Sequence, residues 1–446
     1  MDTPIYDFIE NYINSDVSRL HMPGHKGLSF LGFENMDITE ISGADELYKA
    51  SGIIAKSEKN ASGLFGTKAT FYSTEGSTQC IKAMLYISLM NRKDVNNRPI
   101  VLAARNVHKA FVYSAALLDF DVEWLYPKES GSICSCIVDE ASLDKKLLSM
   151  AQKPFAVYIT SPDYLGGISD IKALSTVCKK YDIPLLVDNA HGAYLKFLEK
   201  SRHPIDLGAT MCCDSAHKTL PALTGSAYLH ISNEFSSENG IRNAMAIFGS
   251  TSPSYLSLAS LDLCNKYLSG SYKSDLFNTI EKVKLLKEKL KSFGLCDVSK
   301  EPLKISLSFV NLNYNGFEIA KILKKHKVEC EYADADNVVL MFTPQNKQLD
   351  FERISSAFCS LKLEKVEMPK DDVCVLPAVF KMTIRNAVFA KHESIPVNSA
   401  LGRICGSPTV SCPPAVPIVI SGEVISSSAI KLLNKYGLDN VEVVCE

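Results

Sequence analysis

Asp214-Ser215-Ala216-His217-Lys218-Thr219 is the stretch on which the reading of this chain turns. It follows a run of small and apolar residues, Leu207-Gly208-Ala209-Thr210-Met211-Cys212-Cys213, and precedes Leu220-Pro221-Ala222-Leu223-Thr224-Gly225. That context predicts a lysine held at the end of a buried strand, not one solvated on a helix.

Working outward, apolar runs recur and each ends in polar residues. Leu185-Leu186-Val187 leads into Asp188-Asn189-Ala190-His191-Gly192, and Ala156-Val157-Tyr158-Ile159 into Thr160-Ser161-Pro162-Asp163-Tyr164. Ile100-Val101-Leu102-Ala103 ends near Arg105-Asn106-Val107-His108-Lys109. Ala69-Thr70-Phe71-Tyr72 enters Ser73-Thr74-Glu75-Gly76-Ser77-Thr78 and then a helical pattern through Ile81, Met84, Leu85 and Leu89. Helical patterns over 108–118 and 170–181 separate the runs. Strands alternating with helices imply an α/β fold with a mostly parallel sheet covered on both faces. In such sheets ligands bind beyond the carboxyl ends of the strands, where the polar residues named above fall.

The flanks are less regular. Residues 5–15 read as a short amphipathic helix. Leu20-His21-Met22-Pro23-Gly24-His25-Lys26-Gly27 is a loop, which reads either as a substrate or phosphate contact through His25 and its neighbours or as a surface turn. The acidic stretch 37–47, with Asp37, Glu40, Asp45 and Glu46, reads as an acid-rich helix N-terminus or as acids that meet a cationic substrate. After Asp262 the pattern changes to a charged helix over 274–293, with Val283, Leu285, Leu286, Leu290 and Phe293 at its apolar positions. Strands at 303–311 and 338–343 bracket a helix near 316–326. Beyond the Pro-rich stretch 412–417, a strand is expected at Ile418-Val419-Ile420 and a helix near 426–436. The expected organisation is an N-terminal arm over 1–40, a large domain over 41–270 and a smaller C-terminal α+β region over 271–446.

Composition narrows the class. The chain has 446 residues, 46% hydrophobic and 22% charged, with net charge −2. It therefore offers no electrostatic case for nucleic acid or an anionic membrane. Its 14 cysteines lack zinc-knuckle spacing and suit free thiols in a reducing cytoplasm, so no metal is expected. The N-terminus lacks a signal-peptide pattern, and no apolar run reaches the roughly 20 residues of a membrane span.

The strand-end residues match what pyridoxal 5'-phosphate (PLP) requires: a lysine to carry its aldehyde carbon, a carboxylate for the pyridine nitrogen, a phosphate cup and a flat group over the ring. Lys218 supplies the first and Asp188 the second, since a carboxylate buried at a strand end needs a cationic partner. Gly76, Ser77 and Thr78 open a helix whose N–H groups suit a phosphate, with Ser215 added. An ordinary N-cap reads the same way as this turn. His108 or His191 offers the flat ring.

The chain resembles the bacterial ornithine/lysine/arginine decarboxylases, PLP enzymes of the aspartate-aminotransferase fold (type I), in their short form without an N-terminal wing domain. The resemblance runs through LHMPGHKG at 20–27, DITEISGADEL at 37–47, FGTKATFYSTEGST at 65–78, RNVHK at 105–109, TSPDYLG at 160–166, VDNAHG at 187–192, SAHKTLPALT at 215–224, STSPSY at 250–255 and the tail over 402–423. It implies that Lys218 carries the cofactor, that Asp188 pairs with the pyridine nitrogen and that His108 stacks on the ring. It places Gly76, Ser77, Thr78, Ser215 and His217 around the phosphate and His191 near the ring oxygen. Thr251 or Ser252 would reach the neighbouring subunit's phosphate, so a homodimer is the expected minimum. The implied reaction is decarboxylation of a basic amino acid, arginine first, then lysine or ornithine, with Lys218 or His217 returning a proton to Cα. Asp45, Glu46, Glu423 and His25 are the candidate substrate contacts. The alternatives are another PLP reaction, such as transamination or a lyase step, and a non-catalytic regulatory protein of the same fold. The sequence departs from the family at Asn189, where Glu is usual, at Glu75, where Asn is usual, and in the tail, which reads GRICGS and CPPA in place of GRISAE and YPPG.

Overall fold

The computed structural model describes residues 1–127, 132–235, 240–366, 375, 377–408 and 415–445. Its strands, in chain order, are β1 (Ala69–Ser73), β2 (Ile100–Ala104), β3 (Asp121–Leu125), β4 (Ala156–Thr160), β5 (Leu185–Asp188), β6 (Met211–Asp214) and β7 (Ala227–Ile231). They continue with β8 (Cys296–Asp297), β9 (Lys304–Ser308), β10 (Tyr332–Ala333), β11 (Asn337–Met341), β12 (His392–Pro396) and β13 (Asn440–Val444). The helices that bear on the site are α1 (Pro4–Ile13), α2 (Ile53–Phe65), α3 (Gly76–Met90), α4 (Lys109–Leu118), α5 (Glu140–Ser149), α6 (Ile171–Tyr181) and the single turn α7 (Ala216–Thr219).

The chain forms two compact units, Met1–Lys93 with Ile171–Leu276, and Asp94–Asp170 with Phe277–Glu446. In the first, strands lie in the order β1-β7-β6-β5. β5 and β6 are parallel, with Asp188 opposite Cys213, whereas β7 is antiparallel to both β6 and β1. All residues of β5, β6 and β7 are buried, which explains their near-continuous apolar sequences. Helix α1 is fixed by Asp262, which accepts from the N–H groups of Ile5 and Tyr6 at 2.9 and 3.1 Å.

In the second unit β2 runs parallel to both β3 and β4. A four-stranded antiparallel sheet, β10-β11-β9-β8, carries helices Gly316–Lys325 and Gln348–Cys359, and β12 pairs with β13. The strand read at 303–311 corresponds to β9, and helix Tyr272–Ser292 covers all but the last residue of the predicted 274–293. On that helix Val283, Leu286 and Leu290 are buried, but Leu285 is 65% exposed.

Two expectations fail locally. Residues 418–420 form no strand. The carbonyls of Pro417 and Ile418 accept from Arg105 at 2.8 and 2.9 Å, and the Ile420 N–H donates to Glu423 at 2.7 Å, so side chains occupy groups that a ladder would need. Residues 37–46 are not helical either; only the turn Leu47–Lys49 is. Asp45 serves a helix at a distance instead. Its carboxylate accepts from the N–H groups of Ser51, Gly52 and Ile54 at 3.0, 2.8 and 3.0 Å, across the start of α2. The tail residues Cys412, Pro413 and Pro414 lie outside the described residues.

Candidate active site

Three strand ends of the first unit supply the site. β6 delivers its chain into Ser215 and the turn α7, where Lys218 is half-buried. β5 ends on Asp188, which is 3% exposed, and the following turn places buried His191 with Nε2 3.0 Å from Lys218 Nζ. The turn after β5 is thus directed at the turn after β6, as the parallel register of the two strands requires. The Asp188 carboxylate receives the Ala190 N–H at 3.2 Å and lies 3.6 Å from Cys213 Sγ. Burial pushes the Cys213 thiol far up, with Asp188 adding to the shift, so the thiol remains a neutral neighbour of that carboxylate.

β1 leads into the start of α3. Gly76 has φ +69, a left-handed conformation, with open space where a Cβ would stand. Glu75 at the N-cap is exposed and makes no side-chain cap, so the first turn of α3 has no carboxylate of its own over its N–H groups. Ser215 Oγ donates to Ser77 Oγ at 2.9 Å, joining the β6 turn to the α3 N-terminus. Half-buried Gly76 and Ser77, exposed Thr78 and buried Ser215 form an anion-binding arrangement at a fifteen-residue helix. His217 is tied to the next strand, its N–H and Nδ1 lying 3.3 and 3.0 Å from the Ser226 carbonyl.

The remaining candidates lie elsewhere. Thr251 and Ser252 are exposed in the loop before helix Tyr255–Leu268. His25 Nε2 is 3.2 Å from Asp37 Oδ2. Glu46 is exposed and pairs with Lys49 at 3.2 Å. In the second unit, His108 caps α4 by accepting from the Ala110 N–H at 3.1 Å through Nδ1, which fixes its ring. Glu423 is 2% exposed and 3.5 Å from Arg105.

Sequence reading missed a polar cluster behind the β5 and β6 turns. Asp214 Oδ2 lies 3.0 Å from His203 Nε2 and 3.2 Å from His230 Nε2, while Asn189 Nδ2 donates to Asp214 Oδ1 at 2.6 Å. Neither histidine belongs to a recognisable motif, and the one signal was Asp214 and Asn189 each standing beside a cofactor candidate.

The donor set fits PLP: an amine beside an imidazole, a buried carboxylate on the adjacent strand end, and a glycine-opened helix N-terminus with two serine hydroxyls. The family model for the Orn/Lys/Arg decarboxylase major domain matches residues 3–304. The chain belongs to this family. Arginine decarboxylase of Bacillus subtilis (strain 168) is 27% identical over 470 residues, covering 97% of this chain and 93% of that protein. Arginine decarboxylase of Halalkalibacterium halodurans is 26% identical over 474 residues, covering 98% and 94%. Among solved structures, the Francisella novicida lysine decarboxylase LdcF superposes with TM-score 0.80 at 15% identity, over 99% of this chain and 81% of that one. A Sphingomonas wittichii serine palmitoyltransferase superposes with TM-score 0.55 at 13% identity, over 80% of this chain and 83% of that one. The fold is therefore the type I PLP-dependent fold, the cofactor is PLP and the chain is a decarboxylase of the Orn/Lys/Arg family.

Proposed function

We propose that this member of the family decarboxylates arginine, yielding agmatine and CO2, with lysine and ornithine as the next candidates. The Lys218–His191 contact of 3.0 Å, at the paired ends of β6 and β5, is the observation that carries the assignment of the reacting centre. The arginine preference rests on the likeness to the two arginine decarboxylases named above.

PLP bound through Lys218 supplies the sink for the electron pair released when CO2 departs. The protein does the rest. Asp188 holds the proton on the cofactor's ring nitrogen. The first turn of α3, with Gly76, Ser77, Thr78 and Ser215, binds the phosphate. His191 orients Lys218 Nζ. After CO2 loss, Lys218 or His217 returns a proton to Cα. Among the acids considered for the substrate's distal cation, Asp45 is occupied by backbone N–H groups and Glu423 is buried beside Arg105. Glu46, whose charge meets the exposed Lys49, costs least to redirect. Thr251 or Ser252 serves the phosphate site of a second copy, making a homodimer the active unit. The enzyme acts in the cytoplasm; among the described residues no helix is long and apolar enough to cross a membrane.

The test is direct. The purified protein is expected to absorb in the visible with bound PLP and to release CO2 fastest from arginine. Lys218→Ala is expected to abolish the band and at least 99% of the activity, roughly the hundredfold or more that a lost catalytic proton donor costs. A colourless wild type that takes up no PLP would overturn the site. Faster turnover of lysine would overturn the substrate.

A further inference from the structure

Asp214, His203, His230 and Asn189 are all completely inaccessible to solvent, and none of them is assigned a role by the reaction. The hydrogen bonds of this cluster have one consistent direction. An ionised carboxylate only accepts, so His203 Nε2 and His230 Nε2 both carry protons toward Asp214 Oδ2, and the Asn189 amide donates to Oδ1. With its Nε2 protonated, His230 uses Nδ1 to accept from Thr70 Oγ1 at 2.9 Å, and Thr70 in turn meets Thr67 Oγ1 at 2.8 Å. Burial pushes His230 down despite the neighbouring Asp214, which agrees with a neutral imidazole. For Asp214, burial alone would raise the carboxyl, but His203 and then His230 outweigh it and hold it well below the usual carboxylate range. Three residues of this kind are also able to ligate a divalent ion. That role needs Nε2 lone pairs, so a bound ion would displace both Nε2 protons and the hydrogen bonds they make to Asp214.

The chain places this cluster where it has leverage. Asn189 directly follows Asp188, and Asp214 directly precedes Ser215 and stands four residues before Lys218. The Asn189 N–H also donates to the Cys213 carbonyl at 3.0 Å, so side chain and backbone both join the end of β5 to the end of β6. A carboxylate at the end of β6 that accepts from the Asn189 turn and from two imidazoles, one of them on β7, leaves the two turns little freedom to shift against each other.

We infer that Asp214 is a positioning residue, which, through Asn189, His203 and His230, locks the Asp188–His191 turn against the Ser215–Lys218 turn and so sets the binding geometry for the cofactor. The inference rests on the PLP reading above. It does not require Asp214 to touch cofactor or substrate.

Three variants test it: Asn189→Ala, Asp214→Asn and the double variant. PLP affinity is measured by titrating the stripped enzyme in the visible, occupancy of Lys218 by borohydride trapping and peptide mass, and stability by thermal melting without cofactor. Asp214→Asn turns an acceptor oxygen into a donor that faces N–H groups, and Asn189→Ala removes the bond between the turns alone. Each is expected to weaken PLP binding about tenfold or more, the scale of a lost charge-assisted hydrogen bond, and to lower trapped Lys218 at fixed PLP. The double variant is expected to bind PLP no more weakly than Asp214→Asn, since the shared contact is already gone. Wild-type PLP affinity in both folded single variants, or additive losses in the double, would overturn the inference. If Asp214→Asn fails to fold, Asn189→Ala decides alone: a lower melting temperature with unchanged PLP affinity means a merely structural role. One equivalent of divalent metal in the purified wild type would overturn it in favour of an ion site. A wild type that binds no PLP fails the cofactor reading, a separate outcome.

Discussion

Asp214 ends β6 in the first unit, and Glu423 lies in the C-terminal segment of the second; both side chains are almost wholly excluded from solvent. Asp214 receives three side-chain N–H groups, none of them from a lysine or arginine, and is held ionised. Glu423 has a guanidinium within 3.5 Å, yet burial outweighs Arg105 and pushes its carboxyl up. The guanidinium is engaged elsewhere, by the Pro417 and Ile418 carbonyls and by the face of Trp124, 5.4 Å from its ring centroid. Glu423 keeps one good bond, from the Ile420 N–H at 2.7 Å, and its Oε1 has no partner among the described residues. The number and aim of the donors decide a buried carboxylate's state more than the presence of a formal opposite charge.

This contrast can be broken by substitution. The largest expected effect is Asp214→Ala, which orphans three buried donors at once and should lower the stability of the cofactor-free protein by about 3–5 kcal/mol in a denaturant melt. Arg105→Met should cost less, about 1–3 kcal/mol, because Glu423 is able to take a proton where Arg105 no longer balances its charge. Glu423→Gln should cost below about 1 kcal/mol, since an amide of the same shape removes a charge that burial disfavours. A cost for Glu423→Gln as large as that of Asp214→Ala would show that the Arg105 pair holds Glu423 ionised.

The pH dependence sharpens the comparison by its sign. Asp214 is lowered from 3.8, so its contribution is fully present above that value and is lost as pH falls below it toward the folded value. Glu423 is raised from 4.5, so above that pH the unfolded chain has released a proton that the folded chain still holds, and stability falls as pH rises to the folded value. Melting temperatures against pH should therefore show wild type gaining on Asp214→Asn with rising pH and losing to Glu423→Gln. Slopes of the same sign for both would refute the assignment of the two states.

How much of this could be read from sequence depended on whether the partners were local. Strand-end lysine, aspartate and glycine-opened helix were legible because each follows its own apolar run by one to five residues, a distance over which the backbone fixes the direction of the chain. The strand expected at 418–420 was not, because Arg105, more than three hundred residues earlier, takes its carbonyls. Asp45 read either as part of an acid-rich helix N-terminus or as an acid that meets a substrate; its carboxylate accepts from N–H groups at the start of α2, whose N-cap Gly52 offers no side-chain cap. The antiparallel β7 escaped notice because five buried residues look the same in either direction.

The sequence by itself determined the alternation of strands and helices, the placing of Lys218, Asp188 and the residue 76–78 turn at strand ends, and the family. Apolar periodicity and short-range turn chemistry encode these, and both act over a few residues. Only the tertiary structure decided that His191 meets Lys218 and that His203 and His230, eleven residues before and sixteen residues after the β6 end, converge with Asn189 on Asp214. Those contacts depend on how neighbouring strands are ordered and registered, and no local pattern carries that information.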